Sequence, residues 1–398
     1  MKFIFEKLLF YLRWGFYLLI ANTVLKAEYL LYLLYKKISG DKTKRRIFLS
    51  SGNISLLNVL TIIKQLNEKD TEDYLVIDTV QGTKEFLDRN RDIAKLHNFK
   101  KVLCCSKRFA LFEMVKHNIF YIDEIYAHSH RWYMKFIQPI FSKSQYYIFD
   151  EGMGSLVAPP NNNNKHICGL YVNEYCKKID YLGWEGFKRV TLKTEIFNEL
   201  SNLICQKYPF DVEIPKDSKT VIFCGSYWQQ FKLPQEEYYR FESEIIKKLM
   251  DKGYTVIYKK HPREVAQFIV PEGALITNCL LPLDVYNLDI VGVISTSSSV
   301  SIHPYHYWKI PGFCTADERI LADRKYNKII DIIQSAIETY SLNVNVLFEI
   351  NPKEMTKQEV LSYLQKKFQD NIDSQPIMSQ NQKLKEEYQI YVDAVKVK

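Results

Sequence analysis

From residue 47 onward, short apolar runs alternate with longer stretches whose apolar positions recur every three or four residues. The runs predict strands over 47–51, 74–79, 101–106, 124–129 and 145–150, and the stretches between them predict helices over 55–66, 84–97 and 109–117. Strands apolar at every position are buried on both faces, which is the mark of a parallel sheet covered by helices on each side. The rhythm breaks at 158–165, where APPNNNNK reads as an exposed loop, and again at 208–218, where YPFDVEIPKDS reads as a linker. A second series follows, with strands over 220–225, 254–259, 274–277, 290–295 and 310–314 and helices over 235–252 and 329–340. No internal repeat is visible. The expected architecture is α/β, with two Rossmann-like domains facing each other across a cleft. The first spans 47–207 and the second 219–369. Residues 370–398 open on the polar run DNIDSQPIMSQNQKL and are expected to form a loosely ordered tail.

The amino-terminal 46 residues follow another pattern. They are rich in Leu, Tyr and Phe, but their longest uncharged stretch, 14–25, is twelve residues. A spanning helix needs about 20, and Glu6, Lys7 and Arg13 interrupt the apolar core a signal peptide requires. The segment 1–46 therefore reads as a pair of amphipathic helices on an anionic membrane surface, ending in Lys42-Thr43-Lys44-Arg45-Arg46. The alternative is a helix packed on the body with a solvated, charged linker. Net charge sharpens the contrast. The chain carries +8, and +7 of it lies in residues 1–46, so the body is nearly neutral and nucleic acid is not expected as a partner. A composition 47% hydrophobic and 25% charged excludes a disordered chain. The eight cysteines form no CxxC pair and several lie in apolar runs such as VLCC and VIFC, so reduced, buried thiols and a cytosolic setting are expected. No His/Cys spacing suits zinc.

Ligands of doubly wound sheets sit beyond the carboxyl ends of the strands, and three clusters lie there. Asp150-Glu151-Gly152 follows the strand QYYIF. A carboxylate there can act as general base on a hydroxyl, and the glycine lets a substrate approach the backbone. A strand followed by an acidic helix cap would look the same. Lys259-Lys260-His261-Pro262 follows YTVIY, and a histidine with cationic neighbours and a rigid proline suits a phosphate, although a surface turn has the same composition. Ser295-Thr296-Ser297-Ser298-Ser299 follows IVGVI and offers hydroxyl and amide donors to an anion, or simply caps a helix. Gly225 closes the first strand of the second series and is a further donor-side candidate. Asn53, in Ser51-Gly52-Asn53 after the first strand, is a candidate substrate contact, with a bare βα turn as the alternative.

The order of these motifs, DEG then KKHP then STSSS, resembles the bacterial sialyltransferases of GT-B fold, the group of lipooligosaccharide sialyltransferases and capsular polysialyltransferases. The resemblance covers residues 46–345. It implies inverting transfer of sialic acid from CMP-sialic acid to a hydroxyl of a bacterial surface glycan, lipooligosaccharide or capsule. Glu151 is then the general base, and His261 assists departure of the CMP phosphate. Ser295 and Thr296, with Ser297 close by, hold that phosphate, and Lys259, Pro262 and Gly225 complete the donor side. Asp284, in LPLD, stands where the group more often has a Glu for the ribose hydroxyls. Asp150, Gly152 and Asn53 fall to the substrate. A leaving group with one phosphate needs less metal assistance than a diphosphate, and the chain has no DxD between strands, so neither metal nor cofactor is expected. The amino terminus implies a peripheral enzyme on the inner face of the cytoplasmic membrane, with a lipid-linked acceptor. Other readings are a transferase of another cytidylate-activated donor, such as CMP-Kdo or CDP-glycerol, or a non-catalytic protein that binds membranes or anionic polymers.

Overall fold

In the computed structural model, residues 2–79, 84–106, 109–128, 137, 140–150, 157, 167–173, 182–184, 186–226, 233–261, 268–279, 281–296, 298–315 and 328–396 are described. The apolar runs become parallel strands for the reason their composition gives. TVIFC of β8 (Thr220–Cys224) and GVIS of β11 (Gly292–Ser295) are buried at every position, so their side chains need cover on both faces.

Two compact units result. The first holds α1 (Lys2–Ser39), β1 (Lys44–Ser50), α2 (Asn53–Leu66), β2 (Thr71–Asp78), α3 (Lys84–Ala94), β3 (Lys101–Cys105), α4 (Ala110–Lys116), β4 (Glu124–Ala127), β5 (Gln145–Phe149), β6 (Ile167–Asn173) and β7 (Arg189–Leu192). Its seven strands lie in the order β3-β2-β1-β4-β5-β6-β7. The second unit adds α5 (Thr194–Lys207), α6 (Gln235–Lys252), β9 (Thr255–Lys259), β10 (Leu275–Thr277), α7 (His303–Trp308), β12 (Gly312–Cys314), α8 (Lys328–Tyr340), β13 (Leu342–Asn343), α9 (Asn345–Glu349), α10 (Lys357–Ser374) and α11 (Gln382–Lys396). Its sheet is β10-β9-β8-β11-β12-β13, parallel throughout. Renumbered within the unit, that order is 3-2-1-4-5-6, the Rossmann order, and the first sheet repeats it with one strand more. Both expected Rossmann-like domains are therefore present. The order reverses between β1 and β4 and between β8 and β11, so the crevices lie at the carboxyl ends of those strands.

Four expectations about organisation change. The amino terminus is one helix of 38 residues, not a pair. Leu25, Tyr29 and Tyr32, spaced four and three apart, form its buried stripe. Tyr29 meets Phe141 edge-on at 5.2 Å and Tyr32 stacks on Tyr121 at 4.4 Å. Among the described residues, no helix is long and apolar enough to cross a membrane.

The cluster Lys44-Arg45-Arg46 is not a solvated linker but the start of β1. Its charges are met by acids distant in sequence. Lys44 pairs with Glu68 and Glu124 at 2.8 and 3.1 Å, Arg45 with Glu72 at 3.0 Å, and Arg46 with Asp73 at 2.6 Å. Lys36, at the end of α1, pairs with Asp123 at 2.7 Å.

Helix α5, expected in the first domain, packs in the second unit, where Phe197 stacks on Tyr307 at 4.1 Å. The expected linker is also anchored there, since Asp211 accepts hydrogen bonds from the Thr277 hydroxyl and, at 2.8 Å, from the Asn278 amide. Finally, the expected loose tail is helical. Val360, Leu364, Phe368 and Ile372 recur every four residues along α10, and Leu384 and Tyr391 of α11 are buried too. Polar residues outnumber this stripe, which hides it from a reading by composition.

Candidate active site

The carboxyl edge of the first sheet carries Asn53 and Asp150. Gly52 leads into α2 with the Ser55 hydroxyl accepting from the amides of Ser51 and Gly52 at 2.8 and 3.0 Å, which closes the βα turn tightly. Asn53 follows, 5% exposed, and its Oδ1 has no hydrogen-bond partner among the described residues. Asp150 is 1% exposed. Its amide donates to Tyr171 O at 3.0 Å, and its carbonyl accepts from Asn58 Nδ2 of α2 at 2.7 Å. The end of β5 is thus held from both sides. Glu151 and Gly152 lie outside the described residues.

The second unit brings its candidates to neighbouring strand ends. Gly225 closes β8, and its amide donates to Lys259 O at 2.9 Å. A Cβ at Gly225 would collide with the Tyr258 hydroxyl, so packing alone requires glycine here. Lys259 is buried, and its Nζ donates to Cys279 O at 2.8 Å. His261 is half-buried just past β9. Pro262 and Ser297 lie outside the described residues.

Ser295 and Thr296 are wholly buried at the end of β11. The Ser295 hydroxyl accepts from the Ser298 amide at 3.2 Å and lies 2.7 Å from Ser301 Oγ. Thr296 Oγ1 accepts from the Thr315 hydroxyl at 3.0 Å, and its carbonyl accepts from Gln334 Nε2 at 3.1 Å. These two hydroxyls shape the loop from within. Ser298 and Ser299 are the half-buried members of the run. Asp284 is buried as well, with Oδ1 2.8 Å from His303 Nδ1 and its carbonyl accepting from Trp308 Nε1 at 2.9 Å. The second HP pair, His303-Pro304, therefore opens α7 and braces Asp284.

Sequence reasoning missed Glu242, Tyr238 and Ser226. Glu242, on α6, has no exposed surface. It accepts from the Tyr238 hydroxyl at 2.6 Å, the Tyr258 hydroxyl at 3.3 Å and the Ser226 amide at 3.3 Å. Burial and the Glu242 charge push both phenols far above their ordinary range, so they remain protonated donors. The signal was a glutamate inside the apolar stripe Tyr238, Ile246, Leu249 of α6. Of the seven described cysteines, Cys105, Cys224 and Cys314 are buried as expected, while Cys104, Cys205 and Cys279 are half-buried. Burial pushes the thiols of Cys105 and Cys224 up to about 12 and that of Cys205 up to about 11. At Cys224 the charges of Asp284 and Glu242 add to burial while Lys259 opposes them, which gathers all three around one strand end. Cys168 is exposed. Among the described residues, no group of three or more His, Cys, Asp or Glu side chains is arranged to hold a metal ion.

Two doubly wound α/β units, with the candidate residues at the carboxyl ends of their strands, are the architecture of the GT-B glycosyltransferases. The model of the alpha-2,8-polysialyltransferase family matches residues 34–269, more than half of the chain, and the protein belongs to that family. Among curated proteins none matches this sequence. Among solved structures, the wall teichoic acid polymerase TagF is similar over 97% of this chain and 98% of its own, at 12% identity and a TM-score of 0.47. The glycosyltransferase SnogD from Streptomyces nogalater covers 89% of this chain and 100% of its own at 8% identity and a TM-score of 0.48. MurG of Acinetobacter baumannii has the same coverage and identity with a TM-score of 0.42. Likenesses of this size say nothing about substrate.

Proposed function

We propose that the protein transfers sialic acid from CMP-sialic acid, with inversion, to a hydroxyl of a bacterial surface glycan. The observation that carries this reading is the family match joined to three motifs at strand ends in the expected order. Glu151 takes the proton of the acceptor hydroxyl as it attacks the anomeric carbon. The bond from that carbon to the CMP phosphate breaks, and His261 donates to the departing phosphate oxygen. The loop 295–299 holds the phosphate, with Ser295 and Thr296 setting its shape and Ser298 presented at its surface. Lys259 and Asp284 lie beneath the same sheet edge and hold its cytidylate side together. Asn53, with its unmet acceptor, receives a hydroxyl of the acceptor sugar. No metal enters these steps. The test is CMP release from CMP-sialic acid with galactose- and sialic-acid-terminated oligosaccharides, with product mass read in parallel. Acceptor-dependent CMP release that EDTA leaves unchanged is expected. No release above background would overturn the reading, and faster turnover of CMP-Kdo or CDP-glycerol would replace its donor.

The same reading places the enzyme on the inner face of the cytoplasmic membrane, near a lipid-linked acceptor. What supports this is the side of α1 opposite its buried stripe. Leu30, Leu31, Leu34 and Ile38 are 55–77% exposed, and Lys26, Lys37 and Lys42 are exposed near them. A helix apolar on two sides needs a second apolar neighbour, and exposed lysines suit an anionic one. Lys44, Arg45 and Arg46 are committed to ion pairs, so the apolar face carries most of the attraction. Leu34→Ser with Ile38→Ser is expected to reduce flotation with phosphatidylglycerol vesicles at least about tenfold, since each apolar side chain buried in lipid is worth on the order of 1.5–3 kcal/mol. Unchanged flotation would remove α1 as the anchor.

A further inference from the structure

The buried carboxylate of Glu242 sits where the strand order of the second sheet reverses. β8 and β11 are neighbours there, and the strands that follow them, β9 and β12, lie on opposite sides of the pair. Glu242 reaches both. On one side it accepts the amide of Ser226, the second residue past β8, at 3.3 Å. On the other it holds the Tyr238 hydroxyl at 2.6 Å, and Tyr238 Oη lies 3.4 Å from Thr296 Oγ1, the first residue past β11. Tyr258, on β9, closes the third side at 3.3 Å and lies over Gly225. One carboxylate therefore joins the ends of β8, β9 and β11.

A fully buried carboxylate is an expensive way to fill a core position, and an apolar residue would pack there at lower cost. What a carboxylate adds is two oxygens that accept several donors in fixed directions.

We propose that Glu242 is a positioning residue that locks the loop after β8 to the loop after β11 and so sets the cradle for the donor's phosphate. The inference rests on the cytidylate-donor reading above. It acts through Tyr238 and Thr296, without contact between Glu242 and substrate. Glu242→Gln can keep one oxygen on the Ser226 amide and the Tyr238 hydroxyl and turn its NH2 to the Tyr258 hydroxyl, but it removes the charge that strengthens these bonds. The common anchor of the loops is then weakened, and the loss concerns the phosphate, not the base.

The experiment is a titration of the full chain with CMP and with cytidine, followed by thermal shift or calorimetry. Glu242→Gln is expected to weaken CMP about tenfold, in line with loss of a charge-assisted hydrogen bond, while cytidine affinity stays unchanged. A merely structural role would weaken both ligands together or neither. Tyr238→Phe removes only the hydroxyl between Glu242 and Thr296 and should give the same phosphate-specific loss. It decides the question if Glu242→Gln does not fold. In a Thr296→Val background, the effect of Tyr238→Phe should largely vanish, because both act through one contact. A CMP-to-cytidine ratio equal to wild type in the folded variants overturns the role of Glu242. A wild-type protein that binds no CMP overturns the cytidylate reading and takes this inference with it.

Discussion

Glu151→Gln is expected to lower kcat by about a thousandfold while KM for CMP-sialic acid moves little, because a positioned general base contributes roughly 10²–10⁴ in rate. Glutamine matches glutamate in size but cannot take the proton of the attacking hydroxyl. Two adjacent carboxylates compete for this role, and the burial of Asp150 speaks against that one. Asp150 is 1% exposed, and its backbone is fixed by Tyr171 and Asn58. A carboxylate so enclosed, on a backbone so fixed, is not the one an arriving hydroxyl meets. Asp150→Asn should therefore cost stability more than turnover. The check is kcat for both variants beside their unfolding midpoints. Wild-type turnover in a folded Glu151→Gln protein would remove Glu151 from the chemistry and leave the transfer without its proposed base.

Much of this was legible in the chain. Each strand and helix of the two alternating series is present, with ends within three residues of the pattern's own, because a strand buried on both faces leaves no polar position to confuse the reading. What escaped depends on partners distant in sequence. Phe197 belongs with Tyr307, 110 residues on, so no local signal moves α5 into the second unit. The stripe Val360, Leu364, Phe368, Ile372 was present in the sequence, but one apolar residue in four reads as polar until its period is counted. The same distinction divides the site. The acidic, HP and Ser/Thr motifs were visible because their residues are consecutive. Glu242 was not, since a glutamate within an amphipathic helix reads as a solvent position, and only the Tyr238 and Tyr258 hydroxyls around it reveal an interior one. Likewise, five consecutive hydroxyl residues gave no means of separating the buried Ser295 and Thr296 from the half-buried Ser298.

The amino-terminal charge supplies the second large effect, and it concerns stability. Counting residues gave +7 for 1–46 and suggested a cationic arm. Instead, Arg46 is 1% exposed, with Nε and Nη2 on the two oxygens of Asp73 at 2.6 and 2.8 Å. His97 Nε2 lies 2.8 Å from the same carboxylate, and Thr71 and Glu68 accept from the guanidinium at 3.3 Å. Burial alone would raise Asp73, but the hydrogen bonds from His97 and Arg46, and the guanidinium charge, hold it below the ordinary carboxylate range. Arg46→Met keeps the apolar stem and leaves that buried carboxylate with His97 as its remaining partner of opposite charge. It is expected to destabilise the protein by about 3–5 kcal/mol, the usual cost of breaking a buried pair from one side. Adding Asp73→Leu should recover most of the loss, since the buried charge goes with it. The pH dependence follows from the sign of the shift. A carboxyl lowered in the folded state contributes stability that is complete above its unfolded value, about 3.9, and is lost as pH falls through the lowered folded value. In Arg46→Met the carboxyl loses the guanidinium that helps to lower it while His97 remains, so it protonates at higher pH than in wild type and the gap between the two narrows as pH falls toward 4. Urea midpoints for wild type, Arg46→Met and the double variant at pH 7 and near pH 4.5 measure this. A gap that widens in acid, or a double variant no better than the single one, would mean that the pair does not anchor β1 and that the strand is held by its apolar neighbours alone.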